Sequence, residues 1–252
     1  MRFDYFLFTS CGNDSVALMQ WAHDRHLKHV LVVYNDTGWH HPDWEKRIDE
    51  VDILAGQMDF CFVRTKTIGM EQLCEERQIT PAFRRQFCTQ QLKIAPSLKI
   101  MDEHDPDKEA TVLIGVRREE SARRATFPEH TEESEGHGGR ALWAPLVRYS
   151  AEQRDSLIKA TGLSILPHRS RECFPCIYQR KAGIAEMSEE DILKVERVEK
   201  ATGSAWFNPN SKLGNDNIRD VVKWAKTNNY RKNNKDQIEL IDVDCDSGYC
   251  GD

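Results

Sequence analysis

The stretch from Phe3 to Leu18 constrains the fold more than any other part of the chain. The apolar, aromatic run Tyr5 to Phe8 has the character of a buried parallel strand. Ser10, Cys11, Gly12, Asn13, Asp14 and Ser15 then supply a turn and a helix start, and Val16, Leu18, Met19 and Trp21 continue as an apolar-rich helix. A strand feeding a short polar loop into a helix leaves several backbone N–H groups unpaired at the helix N-terminus. With the helix dipole, those donors favour an anion, most often phosphate. Two readings stand at this point: a pyrophosphate-binding loop, or Ser10, Asn13 and Asp14 acting merely as helix caps. The loop matches neither Gly-x-x-x-x-Gly-Lys-Ser/Thr nor Gly-x-Gly-x-x-Gly, which argues against two commoner nucleotide-binding designs.

The 252 residues accommodate one large domain or a main domain with an appendage. No apolar run approaches the roughly 20 residues needed to span a bilayer. Met1-Arg2-Phe3-Asp4 leads straight into the first strand and leaves no room for a signal peptide. A cytoplasmic protein without membrane association is therefore expected. A net charge of −6 lowers the expectation of nonspecific nucleic-acid binding. Basic residues nevertheless cluster at Arg84–Arg85, Arg117–Arg118, Arg123–Arg124, Arg169, Arg171, Arg180 and Lys181. Exposed charge pairs would explain each one; their co-occurrence points to an anionic substrate.

His29 to Tyr34 reads as a second buried strand, followed by Asp36, Thr37 and Gly38. A carboxylate at the C-terminal end of a parallel strand lies where open α/β sheets bind ligands, although Asp36 and Gly38 also suit an ordinary turn. His40 and His41 lack metal-ligand spacing and read as surface residues. Helices over Pro42–Met58 and Met70–Gln78 alternate with strands over Phe60–Arg64, Thr111–Val116 and Leu142–Val147. That alternation predicts an α/β fold with a parallel sheet and right-handed crossovers. The acidic, Gly/His-containing stretch from Thr126 to Arg140 reads as a mobile loop, either a lid or a disordered excursion. Ser150 with Gln153 forms a capping box for a helix to Thr161, and Ser188 with Asp191 starts a helix to Ala201. A further helix is expected over Asp216–Asn228 and an edge strand over Ile238–Val243. The change of character near residue 150 divides the chain into a nucleotide-binding domain, 1–150, and a smaller, mainly helical region, 151–252, packed on it.

Eight cysteines in a cytosolic chain suggest metal binding or catalysis rather than disulfides. Cys61 sits in a strand-like run and Cys74 in a helix-like one, so both are expected in the core. Cys173-Phe174-Pro175-Cys176 is a C-x-x-C pair able to bind one metal or cluster. A redox dithiol is the competitor, but the thioredoxin-like pattern it usually sits in is not apparent. Cys88 and Cys250 are the choices for closing a tetrathiolate site, with Cys245 in reserve. Zinc and a 4Fe–4S cluster both accept four cysteines, so the spacing leaves the choice open. Gly115 through Arg124 places guanidinium groups just after a strand, suited to phosphate or sulfate, or alternatively to Arg/Glu pairs at an exposed helix start.

Four stretches together resemble one family. Ser10-Cys11-Gly12-Asn13-Asp14-Ser15 resembles the Ser-Gly-Gly-x-Asp-Ser loop of the PP-loop ATP pyrophosphatases. Asp36-Thr37-Gly38, Cys88-Thr89-Gln90-Gln91-Leu92-Lys93-Ile94-Ala95-Pro96 and Gly115 through Arg124 resemble three motifs of its phosphoadenosine phosphosulfate reductase branch, in family order. The resemblance implies an adenine-nucleotide α-hydrolase-like fold with five parallel strands. It also implies either cleavage of ATP between its α- and β-phosphates or binding of an adenylyl-sulfate. Ser10, Gly12, Asn13, Asp14 and Ser15 would hold the pyrophosphate, with Asp36, Thr37 and Gly38 near the nucleotide. Lys93, Arg117 and Arg124 would neutralise phosphate charge, and Asp14, Lys93 and Arg117 would form the catalytic set. Two positions depart from the pattern: Cys11 replaces a glycine, and Asn13 stands where lysine is often found.

The tail Cys245-Asp246-Ser247-Gly248-Tyr249-Cys250-Gly251-Asp252 lacks the Glu-Cys-Gly-Leu-His motif of assimilatory reductases. Cys88, Cys173, Cys176 and a tail cysteine instead resemble the iron–sulfur protein of DNA phosphorothioation systems, of the Dnd and Ssp types. That resemblance implies ATP, Mg²⁺ and a 4Fe–4S cluster as cofactors, with zinc as the alternative metal. It implies DNA, a cysteine desulfurase and other modification-system proteins as partners. Oligomeric state stays open, a homodimer included. The alternatives are a phosphoadenosine phosphosulfate or adenylyl-sulfate reductase, and a non-enzymatic nucleotide-binding scaffold with structural zinc.

Overall fold

The computed structural model describes residues 1–83, 85–122, 124–207 and 217–227. In chain order they form β1 (Tyr5–Thr9), α1 (Asn13–Asp24), β2 (Val30–Asp36), α2 (Trp44–Gln57), β3 (Cys61–Lys66) and α3 (Met70–Arg77). Next come α4 (Phe87–Thr89), a π turn (Gln90–Ile94), α5 (Ala95–His104), β4 (Thr111–Leu113), β5 (His130–Ser134) and β6 (Arg140–Trp143). Four helices close the described chain: α6 (Ala151–Thr161), α7 (Lys181–Ala185), α8 (Glu189–Thr202) and α9 (Ile218–Ala225).

The sheet runs β3-β2-β1-β4-β6-β5, parallel except for β5, which is antiparallel to β6. Strands β1 and β2 are apolar on both faces, so helices must cover both sides. The two-residue side-chain period divides them. Leu7, Val30, Val32, Tyr34 and Leu113 pack with residues of α1 and α2, while Phe6, Phe8, Leu31, Val33 and Val112 pack with Met101 of α5. A third core joins distant parts of the chain: Trp39, Met70, Leu73 and Leu92 meet Phe174, Val195, Trp206 and Val221.

The parallel α/β sheet matches expectation, with three differences. The sheet has a sixth strand, because part of 126–140 is not an open excursion: His130–Ser134 pairs with β6 through its backbone, which needs little apolar side-chain signal. Cys61 is exposed rather than core, because β3 is the edge strand. His40 and His41 are not surface residues; His40 lies between Asp36 and Glu45, and His41 between Asp43 and Asp191. Both capping boxes form as read. Helix α6 packs along α1, so the residues just past 150 share the sheet's core, whereas α7, α8 and α9 build the third one. Ile238–Val243, Cys245 and Cys250 lie outside the described residues. No helix among the described residues is long and apolar enough to cross a membrane.

The turn after β5 buries His137, whose Nδ1 lies 2.8 Å from Ser134 Oγ. Burial lowers its pKa to about 4. The unfolded chain takes up this proton near pH 6.5, so the stabilisation is complete above that value and is lost as pH falls toward 4. Between pH 7 and 4.5 this one group is expected to remove about 2–3 kcal/mol of unfolding free energy. His137→Gln should flatten that part of the profile, as measured by urea unfolding across the pH series.

Candidate active site

The loop from β1 to α1 is set by backbone contacts. Gly12 is the N-cap of α1 and no side chain caps that helix, so the purely capping role for Ser10, Asn13 and Asp14 does not hold. Cys11 occupies the left-handed region at φ 58°, a conformation that costs an L-residue about 1 kcal/mol and explains why glycine suits this position. Its amide donates to Thr9 Oγ1 at 2.9 Å and its carbonyl accepts from Arg47 Nε at 3.2 Å. Complete burial pushes the Cys11 thiol far above its ordinary range, so this thiol is unreactive. Asn13 has a structural role: its neutral amide pairs with the Leu166 backbone in both directions at 2.9 Å. That pair holds the segment leading to Cys173 against the loop.

Asp14 and Arg117 form a buried ion pair, with Arg154 Nη1 3.8 Å from the same carboxylate. Burial pushes the Asp14 carboxyl up, and Arg117 opposes that shift. Arg124 pairs with Glu120, whose Oε1 is buried without a hydrogen-bond partner. Gly115 brings the chain beyond β4 against the loop: a Cβ there would lie 3.0 Å from both C and O of Asp14. Backbone cannot rotate away as a side chain can, so Gly115→Ala should displace the loop, costing about 1–3 kcal/mol. A thermal melt should read that loss, and an unchanged midpoint would contradict this packing.

At the end of β2, Asp36 accepts from the Gly38 amide at 2.9 Å and from Arg64 Nε at 2.9 Å. Burial alone would raise its pKa. The His40 ring 3.6 Å away, with hydrogen bonds from the Gly38 amide and Arg64, outweighs that and holds the carboxyl well below the usual carboxylate range. Gly38, at φ 61°, turns the chain beside Gly69, and a Cβ there would lie 3.1 Å from Gly69 Cα.

An open cleft is lined by Thr37, Cys88, Lys93, Arg124, Ser170, Cys173 and the residues from Cys176 to Arg180, among others. The π turn explains how Cys88 and Lys93 share it. Five residues apart on a regular α-helix they would point about 140° apart, but i→i+5 winding brings them to one side. Pro96, at the start of α5, has no N–H with which to continue α-helical pairing. Lys93 pairs with Glu172, both nearly fully buried. The Cys173 thiol is raised well above its ordinary range, first by its hydrogen bond with Cys176, then by burial, with Cys88 adding to the shift. Among the described residues no three His, Cys, Asp or Glu side chains come together to hold one metal ion.

Of the sequence-derived residues, Thr37, Cys88, Lys93, Arg124, Cys173 and Cys176 thus meet in one cleft. Ser10 to Ser15, Asp36, Gly38 and Arg117 do not line it. They stand behind it, and Ser170 joins the two parts by donating to the Ser10 carbonyl at 3.1 Å. Cys250 lies outside the described residues. Sequence reasoning missed Glu172, Arg154, Trp39 and Lys194. Glu172, adjacent to Cys173, and Trp39, directly after Asp36-Thr37-Gly38, carried a hint; Arg154 and Lys194 come from positions with no motif around them.

Residues 4–173 match the family model of the phosphoadenosine phosphosulfate reductase domain. A curated relative, a 37.8 kDa protein encoded in the gpa 5′ region of Escherichia phage 186, is 26% identical over 188 residues, covering 68% of this chain and 51% of its own. The chain therefore spans about half the length of that relative. A solved phosphoadenylyl-sulfate reductase from Candida auris, in a phosphate complex, is 17% identical over 64% of this chain and 74% of its own, with a TM-score of 0.44. Candida glabrata FMN adenylyltransferase with FAD and inorganic pyrophosphate is 12% identical over 64% and 50% of the two chains, with a TM-score of 0.40.

Proposed function

The chain belongs to the phosphoadenosine phosphosulfate reductase domain family, and from that premise we propose that it is an ATP pyrophosphatase that adenylates a DNA backbone phosphate to prepare it for sulfur insertion. One observation carries the reading: three cysteines and the cations Lys93, Arg124, Arg169 and Arg180 line one cleft, tied through Ser170 to the Ser10–Ser15 loop.

A phosphodiester oxygen is a very poor leaving group and must be activated before it can be replaced. In the proposed reaction that oxygen attacks the α-phosphorus of ATP. A new P–O bond forms, the α–β bridging bond breaks, and pyrophosphate departs. Loop amides of Gly12 to Ser15 at the start of α1 suit the departing anion. Arg117, Arg124 and Lys93 supply positive charge around it. Sulfur from a cysteine desulfurase, brought from the persulfide to the sulfide level by two electrons from a thiol reductant, then attacks the DNA phosphorus: a P–S bond forms, the P–O bond to the adenylyl group breaks, and AMP leaves with the original oxygen.

Bound Mg²⁺ would offset further pyrophosphate charge. The unpartnered Glu120 Oε1 beside Arg117 and Arg124 is an acceptor suited to its hydration water or to a ribose hydroxyl. For the metal, Cys88, Cys173 and Cys176 are the holders, with Cys250 or Cys245 as fourth. Zinc and a 4Fe–4S cluster both accept such a thiolate set.

A second reading, reduction of phosphoadenosine phosphosulfate, is favoured by the matched family and by the paired Cys173 and Cys176 thiols. Protein purified without oxygen separates the two. DNA-stimulated pyrophosphate release from ATP supports adenylation, and sulfite release from phosphoadenosine phosphosulfate with a thiol reductant would replace that reading with the second.

A further inference from the structure

The Cys173–Cys176 loop is held largely by residues distant in sequence. Its backbone is fastened to the Thr37–His41 segment after β2 and to α8. Thr37 Oγ1 donates to the Glu172 carbonyl at 3.1 Å, and the His41 amide to the Arg171 carbonyl at 3.0 Å. The Phe174 amide donates to the Trp39 carbonyl at 2.8 Å, and Trp39 Nε1 donates to the Pro175 carbonyl at 3.1 Å. Lys194 Nζ completes the set, donating to both the Phe174 and His40 carbonyls at 3.3 Å. The same ammonium lies 4.1 Å from the centre of the Trp39 ring, which stacks on Trp206 at 4.8 Å. Trp39 is fully buried.

We propose that Lys194 is a positioning residue for the Cys173–Cys176 pair, bolting the cysteine loop to the segment that follows β2. One cation satisfies two carbonyls that belong to the two different loops, and it sits over the ring that holds a third. Fixing the carbonyls of Phe174 and Pro175 fixes the peptide planes between the two cysteines. That in turn sets where their side chains point into the cleft. The positive charge also lies beside the site where thiolate, or thiolate bound to metal, carries negative charge. Lys194 lies past residue 173, beyond the stretch that the family model covers. The inference rests on the reading that Cys173 and Cys176 are the working thiols of this cleft, and the test below reads them directly, without ATP or DNA turnover.

Metal-free protein is alkylated with iodoacetamide, and each cysteine is followed by mass spectrometry in wild type, Lys194→Met and Lys194→Arg. Cys88 shares the cleft but not the clamp, and buried Cys11 and Cys74 report unfolding. Lys194→Met is expected to change the rates at Cys173 and Cys176 at least about threefold, leave Cys88 near wild type and keep Cys11 and Cys74 protected. Lys194→Arg, which retains charge and donors, should restore the wild-type rates. Wild-type rates at both cysteines in Lys194→Met would overturn the proposal. If that variant exposes Cys11 or Cys74, Trp39→Phe, which removes the indole bond to Pro175 while keeping an aromatic ring beneath Lys194, decides instead. A selective change at Cys173 and Cys176 then supports the clamp, and none overturns it. Failure of the adenylation reading shows separately, as absent pyrophosphate release with these thiol rates unaltered.

Discussion

Arg117→Met is expected to lower unfolding stability by about 3 kcal/mol and pyrophosphate release from ATP by about 100-fold. The two losses have different origins. Arg117 and Asp14 are nearly fully buried, so removing the guanidinium leaves a carboxylate away from water without its main partner. Breaking a buried pair in this way costs about 3–5 kcal/mol. The lower end applies because Arg154 and Arg124 also stabilise the Asp14 charge, and the carboxyl can protonate instead. Replacing both partners, Asp14→Asn with Arg117→Met, should recover part of the stability, since neither side then leaves an unpaired charge. It should not recover the activity, because the positive charge that the proposed reaction draws on near the pyrophosphate is still missing. A thermal melt and a pyrophosphate assay on the single and double variants separate the two effects. A double variant that regains activity would contradict the role given to Arg117.

Arg140→Met should produce a loss of about 3–5 kcal/mol, with no change in the ATP affinity of the folded protein. Arg140 is completely buried at the start of β6. Its Nε donates to Asp105 Oδ2 at 2.7 Å, and its Nη2 to Asp102 Oδ1 at 3.0 Å and to the Asp105 carbonyl at 2.6 Å. Asp105 is 2% exposed and also accepts from the Glu109 and Ala110 amides at 3.0 and 3.2 Å. The substitution therefore leaves a buried carboxylate at the end of α5 with two amide donors and no counter-charge. None of these residues lines the cleft. Urea unfolding reads the loss, and ATP titration at low temperature, where the variant stays folded, reads the site. A loss below about 1 kcal/mol would mean that the pair is screened as surface pairs are.

The parallel sheet was legible because β1 and β2 are short apolar runs with polar punctuation at their C-terminal ends. The capping boxes at Ser150 and Ser188 were legible for a related reason: each is a local pattern fixed by four residues. What escaped was non-local. Strand β5 is polar on both faces and exists through its pairing with β6, so no periodicity announces it. Asn13 reads as a phosphate ligand until Leu166 is seen to occupy both ends of its amide. Lys194 sits in a helix whose sequence reads as amphipathic surface, and its role depends on a contact with Phe174 and a ring 155 positions away. Cys88 was grouped with Cys173 and Cys176 as a candidate ligand, and the three line one cleft. The π turn that aims Cys88 and Lys93 together was not.

The most direct measurement is mass spectrometry of DNA, digested to nucleotides, from cells carrying the complete modification system with the wild-type chain, without it, or with Cys173→Ser. Adenylation followed by sulfur insertion predicts phosphorothioate-linked dinucleotides only with the wild-type chain. Equal levels in all three samples, or none in any while the purified protein releases sulfite from phosphoadenosine phosphosulfate, would contradict it.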